Sequence, residues 1–490
     1  MILQDHFALP KFTTARAVAF KSGKKIEIPG LTHHFEREEN DMEIRQINVY
    51  DVIDSRRIGR RQYFIVAFCA LLMLFDGFDT QVISFIVPVL AKEWQLPKGV
   101  FGAIFSAVFF GLLIGNFGIP FATQRFGTKK IAFMATTAFG LFTVLTVFAT
   151  SVPQLIALRF LAGIGLGAAT PCAVGLVSEF SPNRTRATFV ILVYMGYALG
   201  FIFAGICSSA LIPRFGWQGP MWLGGLAALG LTVLLIPLLP ESVAYLSRNA
   251  DQAELLHATR RLFPDFTLQS DTELVTHEAK PVDASVLGLF SAQFRLGTFL
   301  LWAVFAINLA TFYFLQSWLP TVLASASFPP ALVVWATITV IIGGMVASLL
   351  MGPIMDRTSP YRILSAIYVG GSVSMYTISI AIGSSHLALL STIFFCGFCI
   401  SGGQTCAIAL CTLFYSPELR APGVAWAYGF GRLGAAGGTY LAGVLYANNW
   451  TADAMFRVAA APILVAAACV ALMGACYALT KKDLKNSFSA

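Results

Sequence analysis

Charge is what this chain has least of. Only 12% of its 490 residues are Asp, Glu, Lys or Arg, against 57% hydrophobic, and the mean hydropathy is +0.73. A soluble globular domain carries roughly twice that share of charge, so an aqueous fold is excluded. Histidine is scarce too. His6, His33, His34, His257, His277 and His386 fall in tails, loops or at a span edge, which argues against a histidine metal centre or proton relay inside a membrane. The nine cysteines lie mainly within apolar segments and read as small buried residues, not disulfides. Cys396 and Cys399 form a CxxC, but no second pair or nearby histidine completes a metal site. Residues 1–31 lack the apolar core of a cleavable signal peptide, so the first span is expected to act as the insertion signal. No phosphate loop and no nucleophile, base and oxyanion arrangement is readable; an enzyme has little support and no cofactor is implied.

What is present is apolar length. Segments long enough to span occur at about 63–90, 99–121, 131–150, 155–178, 188–212, 217–239, 297–323, 331–355, 362–382, 387–414, 423–446 and 455–479. They are too long, and alternate too little, for barrel strands. The predicted fold class is therefore an all-α membrane protein of twelve transmembrane helices. The net charge of +8 is not a nucleic-acid signature, because the basic residues sort by side. Arg56, Arg57, Arg60 and Arg61 precede the first span, Arg125, Lys129 and Lys130 follow the second, and Arg184 and Arg186 follow the fourth. The alternate loops hold little beyond Lys92, Lys98, Arg214 and Arg457. The positive-inside rule then places both termini in the cytoplasm, with lipid as the surrounding partner.

The longest internal polar stretch divides the chain. The expected organisation is a cytoplasmic tail at 1–62, a six-helix bundle at 63–240, a cytoplasmic loop at 241–293, a second bundle at 294–480 and a tail at 481–490. Within the first tail, the part before about residue 40 reads as disordered and 44–58 as an amphipathic helix on the membrane surface. Two halves suggest duplication: PFATQRFGTKK after span two answers GPIMDRTSPYR after span eight, and SPNRTRA after span four answers SPELRA, with Arg420, after span ten. Parallel six-helix repeats are expected of carriers that work by alternating access around a midplane site.

Asp76 and Asp79 interrupt the first span, YFIVAFCALLMLFDGFDTQVISFIVPVL. A carboxylate near a bilayer centre costs roughly 2.5 to 3.5 kcal/mol on insertion scales. At i and i+3 the pair leaves the helix on one face and can point together into a polar transport path. Burial penalises the charged carboxylate and a nearby arginine favours it, a competition suited to loading and releasing protons. The alternative is that one of the two merely neutralises Arg432 or Arg159.

DGFDT, RFLAGIGLGAATP with SEFSPNRTRA, LPESVAYL and GPIMDR together resemble the major facilitator superfamily, whose fold is two pseudo-symmetric six-helix bundles. INVYDVIDSRRIGRRQY leading into the first span, and YSPELRAPGVAWAYGFGRLGA, resemble its aromatic acid:proton symporters. The similarity covers about residues 46–480. It implies import of a small aromatic carboxylate with protons across the inner (plasma) membrane, by a chain expected to act as a monomer. The superfamily loop pattern is intact at Gly352, Asp356 and Arg357, but its first-half counterpart has Pro120 and Gln124 before Arg125. The acidic partner of that gating loop is missing, and either the latch is weaker or Glu179 serves instead.

An aromatic acid offers one carboxylate and one flat ring, so its site needs a fixed cation and apolar walls. Arg432, about nine residues into span eleven, is the candidate cation, since guanidinium grips carboxylate through two parallel hydrogen bonds. A structural ion pair with an aspartate is the competing reading. Arg159 is equally a structural partner, an outer-gate residue or a proton carrier. Span seven offers Asn308, Phe312 and Gln316 on one face, span five Tyr194 and Tyr197, and span ten Gln404; ordinary packing is the alternative for each. Symport of another organic anion or a sugar, and a non-transporting receptor, stay open. Vesicle uptake separates receptor from carrier.

Overall fold

A computed structural model describes residues 45–249, 252–263, 272–275 and 286–487. Twelve long helices dominate it. In the first half these are α2 (Arg60–Glu93), α3 (Val100–Phe126), α4 (Thr128–Thr146), α5 (Val152–Phe180), α6 (Asn183–Phe215) and α7 (Gln218–Leu238). In the second they are α10 (Arg295–Ser325), α11 (Pro330–Arg357), α12 (Pro360–Ala381), α13 (His386–Phe414), α14 (Pro417–Ala447) and α15 (Ala452–Ser487). Nine of the twelve are, among the described residues, long and apolar enough to cross a membrane by composition alone. Helix α14 is not among them, since Arg432 and its glycines dilute its apolar character.

Short polar turns end each helix. Gly127, at φ +89°, turns α3 into α4, and Gly216, at φ +66°, turns α6 into α7; left-handed backbone of this kind favours glycine. Ser181 and Pro182 separate α5 from α6, and Ser416 precedes α14 with Pro417 in its first turn, so the repeated Ser-Pro pair stops one helix and starts the next at the same place in both halves.

The same helix pairs pack in each half. Helix α2 lies against α6 as α10 does against α14; α3 pairs with α5 as α11 with α13, and α4 with α7 as α12 with α15. This is the duplicated six-helix arrangement. Gly77 and Gly200 make the α2–α6 approach possible, because a Cβ at Gly77 would run into the Tyr197 carbonyl and one at Gly200 into that of Leu74. Backbones this close are the usual role of small residues between membrane helices.

At the end carrying Arg56 to Arg61, hereafter the basic end, lie α1 (Val49–Ser55), α8 (Val243–Asn249) and α9 (Gln252–Leu262), and the strands β1 (Arg45–Asn48) and β2 (Thr272–Val275) pair in a two-stranded sheet. The amphipathic helix expected over 44–58 is thus shorter. Asn48 ends the strand and caps α1 by accepting the Tyr50 amide at 3.1 Å, so helix begins only at Val49. The disorder expected before residue 40 lies outside the described residues. By compactness the chain divides into residues 1–46 with 268–273, of which only 45–46 and 272–273 are described, and a unit of 47–267 with 274–490 that holds both helical halves.

The halves meet toward the end opposite the basic one. A Cβ on Gly102 of α3 would come within 2.8 Å of the Tyr440 carbonyl and 2.9 Å of Gly443 Cα on α14. The Trp318 ring, its indole N–H donating to the Thr439 carbonyl at 3.1 Å, meets Phe105 edge-on at 5.2 Å. Gln81 donates to the Gln316 backbone carbonyl at 3.0 Å, and Lys98 to Asn449 Oδ1 at 3.0 Å. Val334 of α11 packs on Gly205 of α6. This far end is sealed.

Candidate functional site

Midway along the helices, below that seal, the two aspartates of α2 take different surroundings. Asp79 faces α4 and α5. Arg159 Nη1 lies 3.2 Å from its Oδ2, and Thr143 donates to its Oδ1 at 2.6 Å. The second guanidinium nitrogen donates to Thr143 Oγ1 at 3.1 Å and Thr146 Oγ1 at 2.9 Å. Arg159 is 0% and Asp79 1% exposed. Such a pair is neutral as a unit and hydrogen-bonded on several sides, the condition under which charge is tolerated at depth.

Asp76, also 1% exposed, has hydroxyl donors in place of a cation: Thr170 Oγ1 on α5 donates to Oδ2, and Thr80 Oγ1 to Oδ1 at 3.5 Å. Gly77 lets the α6 backbone come against α2 at this level, which brings Tyr197 beside Asp76. Across the space between the halves stands Arg432 of α14. It forms no ion pair among the described residues; its Nη1 donates to the Tyr313 hydroxyl at 3.2 Å. That hydroxyl lies 3.4 Å from the Tyr197 hydroxyl, linking the two halves at mid-span. Arg432 is within electrostatic range of Asp76, Tyr197, Tyr313 and Tyr428. Tyr428 sits one helical turn before it on the same face.

Around this charged centre the walls are aromatic. Phe109 of α3 lies 4.3 Å, centroid to centroid, from Tyr313, and Phe312 meets Tyr313 edge-on at 5.0 Å. Tyr194 is half exposed, yet in range of Arg432 and Asp76.

The amides named from sequence divide as well. Asn308 is buried and donates to the Ile400 carbonyl at 3.0 Å, tying α10 to α13. Gln316 is buried with neither amide atom hydrogen-bonded among the described residues, which costs about 1 to 3 kcal/mol unless a partner arrives. Gln404 lies beside Tyr428. Asp76, Arg432, Tyr194 and Tyr197 are thus brought together, whereas Asp79 is drawn off to Arg159 and Asn308 to a helix–helix tie. Thr170, Thr143, Thr146 and Tyr428 join the site without having been named from sequence. Only Tyr428 carried a local signal, its i−4 spacing to Arg432; the threonines sit 64 to 94 residues from the aspartates they serve.

At the basic end Gln124 and Arg125 are exposed, and the Arg125 guanidinium rests 5.3 Å from the Phe126 ring centroid. Glu179 accepts from Ser242 Oγ and the Val243 amide, both at 2.9 Å. Glu241 seats its carboxylate at the start of α4, accepting the Lys129 amide at 2.8 Å. The loop that lacks an acid of its own therefore receives one from the segment after α7. Arg357 and Arg420 are exposed at their helix ends, and the Asp356 side chain lies outside the described residues.

Two packed six-helix halves, a mid-span arginine and buried aspartates recur among membrane carriers, and comparison with known proteins places them. The profile of the Major Facilitator Superfamily matches residues 69–334 and 324–487. The chain belongs to this superfamily. Its relatives include the 4-hydroxybenzoate transporter PcaK of Pseudomonas aeruginosa, 33% identical over 86% of this chain and 94% of that protein. The gallate transporter of Pseudomonas putida is 35% identical over 85% of this chain and 92% of its own length, and the benzoate transport protein of Acinetobacter baylyi 30% over 82% and 87%. Among solved structures, the xylose transporter XylE from E. coli superposes with a TM-score of 0.66 at 18% identity, covering 84% of this chain and 97% of that one. A bacterial homologue of the lysosomal transporter Spinster gives 0.64 at 14%, over 84% and 97%. At those identities the likeness is one of fold.

Proposed function

We propose that this membrane carrier imports an aromatic carboxylate together with protons by alternating access. The observation that carries the reading is Arg432: a mid-span guanidinium hydrogen-bonded to a tyrosine hydroxyl and facing a carboxylate, Asp76, that has no cation of its own among the described residues. The names of the relatives supply the substrate class, and the aromatic walls suit a flat ring.

Coupling follows from charge. While Asp76 is ionised, its negative charge offsets that of Arg432 and repels an incoming carboxylate across the same space. Protonation of Asp76 removes the repulsion and leaves Arg432 to the substrate, so proton and anion each favour binding of the other, as linkage requires. Asp79, neutralised by Arg159, serves to hold α2, α4 and α5 in register. The substrate carboxylate takes the fork of Arg432; the ring lies among Phe312, Tyr313, Tyr194 and Tyr197, and the amides of Gln316 and Gln404 are available to its polar substituents.

The sealed end is the periplasmic one on this reading, because the arginines and lysines gather at the other end and favour the cytoplasm. Bundles at 63–240 and 294–480 rock against each other, so that the α3–α14 and α6–α11 contacts part when the site opens to the periplasm. Glu179, Glu241 and Arg125, with Asp356, Arg357 and Arg420 in the second half, belong to the gate at the cytoplasmic end. The protein acts as a monomer. Uptake of labelled 4-hydroxybenzoate into proteoliposomes with an inward proton gradient tests the proposal. Accumulation that an uncoupler abolishes is expected; binding without accumulation would identify a receptor, and competition by a sugar or a dicarboxylate but not by benzoate would reassign the substrate.

A further inference from the structure

Outside the transport site, a cleft of about 250 Å³ opens at the basic end between the start of α2, the end of α7 and the end of α9. Phe64, Ile65, Leu238, Pro240 and Leu262 give it apolar walls, and Arg61 and Arg261 line it as well. Arg61 donates to the backbone carbonyl of Arg261, which fixes its guanidinium beside the cleft. Phe64 is 48% and Leu238 43% exposed, so the apolar wall continues onto the outer surface. Lys129 stands within electrostatic range of Arg261 and adds positive potential; Glu241, next to Pro240, has its carboxylate engaged by the amides of Lys129 and Ser242. Asp76 lies fifteen residues beyond Arg61, about 22 Å along the helix axis at 1.5 Å per residue, so this cleft and the transport cavity are separate.

We propose that the cleft binds an anionic phospholipid, its phosphate between Arg61 and Arg261 and an acyl chain along Phe64 and Leu238. The two kinds of lining decide the occupant. A soluble anion uses the arginines and has no need of an exposed apolar wall; a zwitterionic lipid uses the wall and offers no net charge. An anionic phospholipid matches both, and the first turn of a membrane span lies where such headgroups are found. The inference rests on the membrane fold and is independent of the transport reading.

Native mass spectrometry of the full-length protein, delipidated and titrated with phosphatidylglycerol or phosphatidylcholine, tests it. Each surface cation contributes roughly fivefold to retention of an anionic lipid, so Arg61→Gln with Arg261→Gln should lower phosphatidylglycerol retention by roughly tenfold or more. Phosphatidylcholine retention should not change. Arg362→Gln, an exposed charge at the same end of the second half, should retain phosphatidylglycerol as the unaltered protein does. If the double variant does not fold, Leu238→Ser is read in its place: it keeps both arginines, and its phosphatidylglycerol retention should also fall. Equal retention by the unaltered protein and the cleft variants overturns the proposal, as does an equal loss in Arg362→Gln. Displacement of the lipid by inorganic phosphate at matched concentration also overturns it, by reassigning the cleft to a soluble anion.

Discussion

At the scale of the residue, two aspartates three positions apart have different tasks because their neighbours differ. Asp79 and Arg159 neutralise each other, so removing one partner strands a buried charge, typically a loss of about 3 to 5 kcal/mol. Asp79→Asn and Arg159→Met should each lower the unfolding temperature in detergent, and Asp79→Leu combined with Arg159→Met should recover part of the loss. No recovery in the double variant would show that the pair contributes more than mutual neutralisation. Arg432→Lys keeps the charge and loses the planar fork, so aromatic-acid affinity should weaken by about 1 to 3 kcal/mol, close to tenfold or more, in equilibrium binding. If Arg432→Ala binds normally once Asp76 is also made neutral, the arginine served only to balance that carboxylate. The sequence made the aspartates and Arg432 conspicuous, since charge inside an apolar run is legible residue by residue. It left open which aspartate meets which cation, because Thr143, Arg159 and Thr170 reach α2 from 64 to 94 residues away through tertiary packing.

Between elements, the decisive contacts are backbone to backbone. Gly102 and Gly443 bring α3 and α14 together at the sealed end with no room for a Cβ. Gly102→Val should open that end, and hydrogen exchange measured by mass spectrometry should then quicken over 100–105 and 440–446; unchanged protection would show that the seal lies elsewhere. At the basic end, Glu241 supplies the loop after α3 with the acid missing at Gln124. Glu241→Gln should loosen that loop by roughly 1 kcal/mol, the scale for contacts near water, and should raise the reactivity of a cysteine placed at 124. Long apolar runs announced the spans, whereas the break between β1 and α1 turns on one asparagine side chain and could not be read from amphipathic spacing.

For the whole molecule, the sorted basic residues predict orientation: reporter fusions at 95 and 215 should read as periplasmic, and a cytoplasmic signal at either would overturn the topology. The duplicated halves were visible as repeated loops, and the structure pairs the same helices in each. Which end is sealed had no signature in the sequence, because it depends on small residues meeting across the two halves. If protonation of Asp76 admits the aromatic anion to Arg432, transport and exchange are separable. Proteoliposomes carrying Asp76→Asn should therefore be compared with the unaltered protein for proton-driven uptake and for counterflow of 4-hydroxybenzoate across external pH. Asp76→Asn should lose accumulation and keep counterflow that no longer falls as pH rises. Proton-driven accumulation at the unaltered level in Asp76→Asn would contradict that role of Asp76.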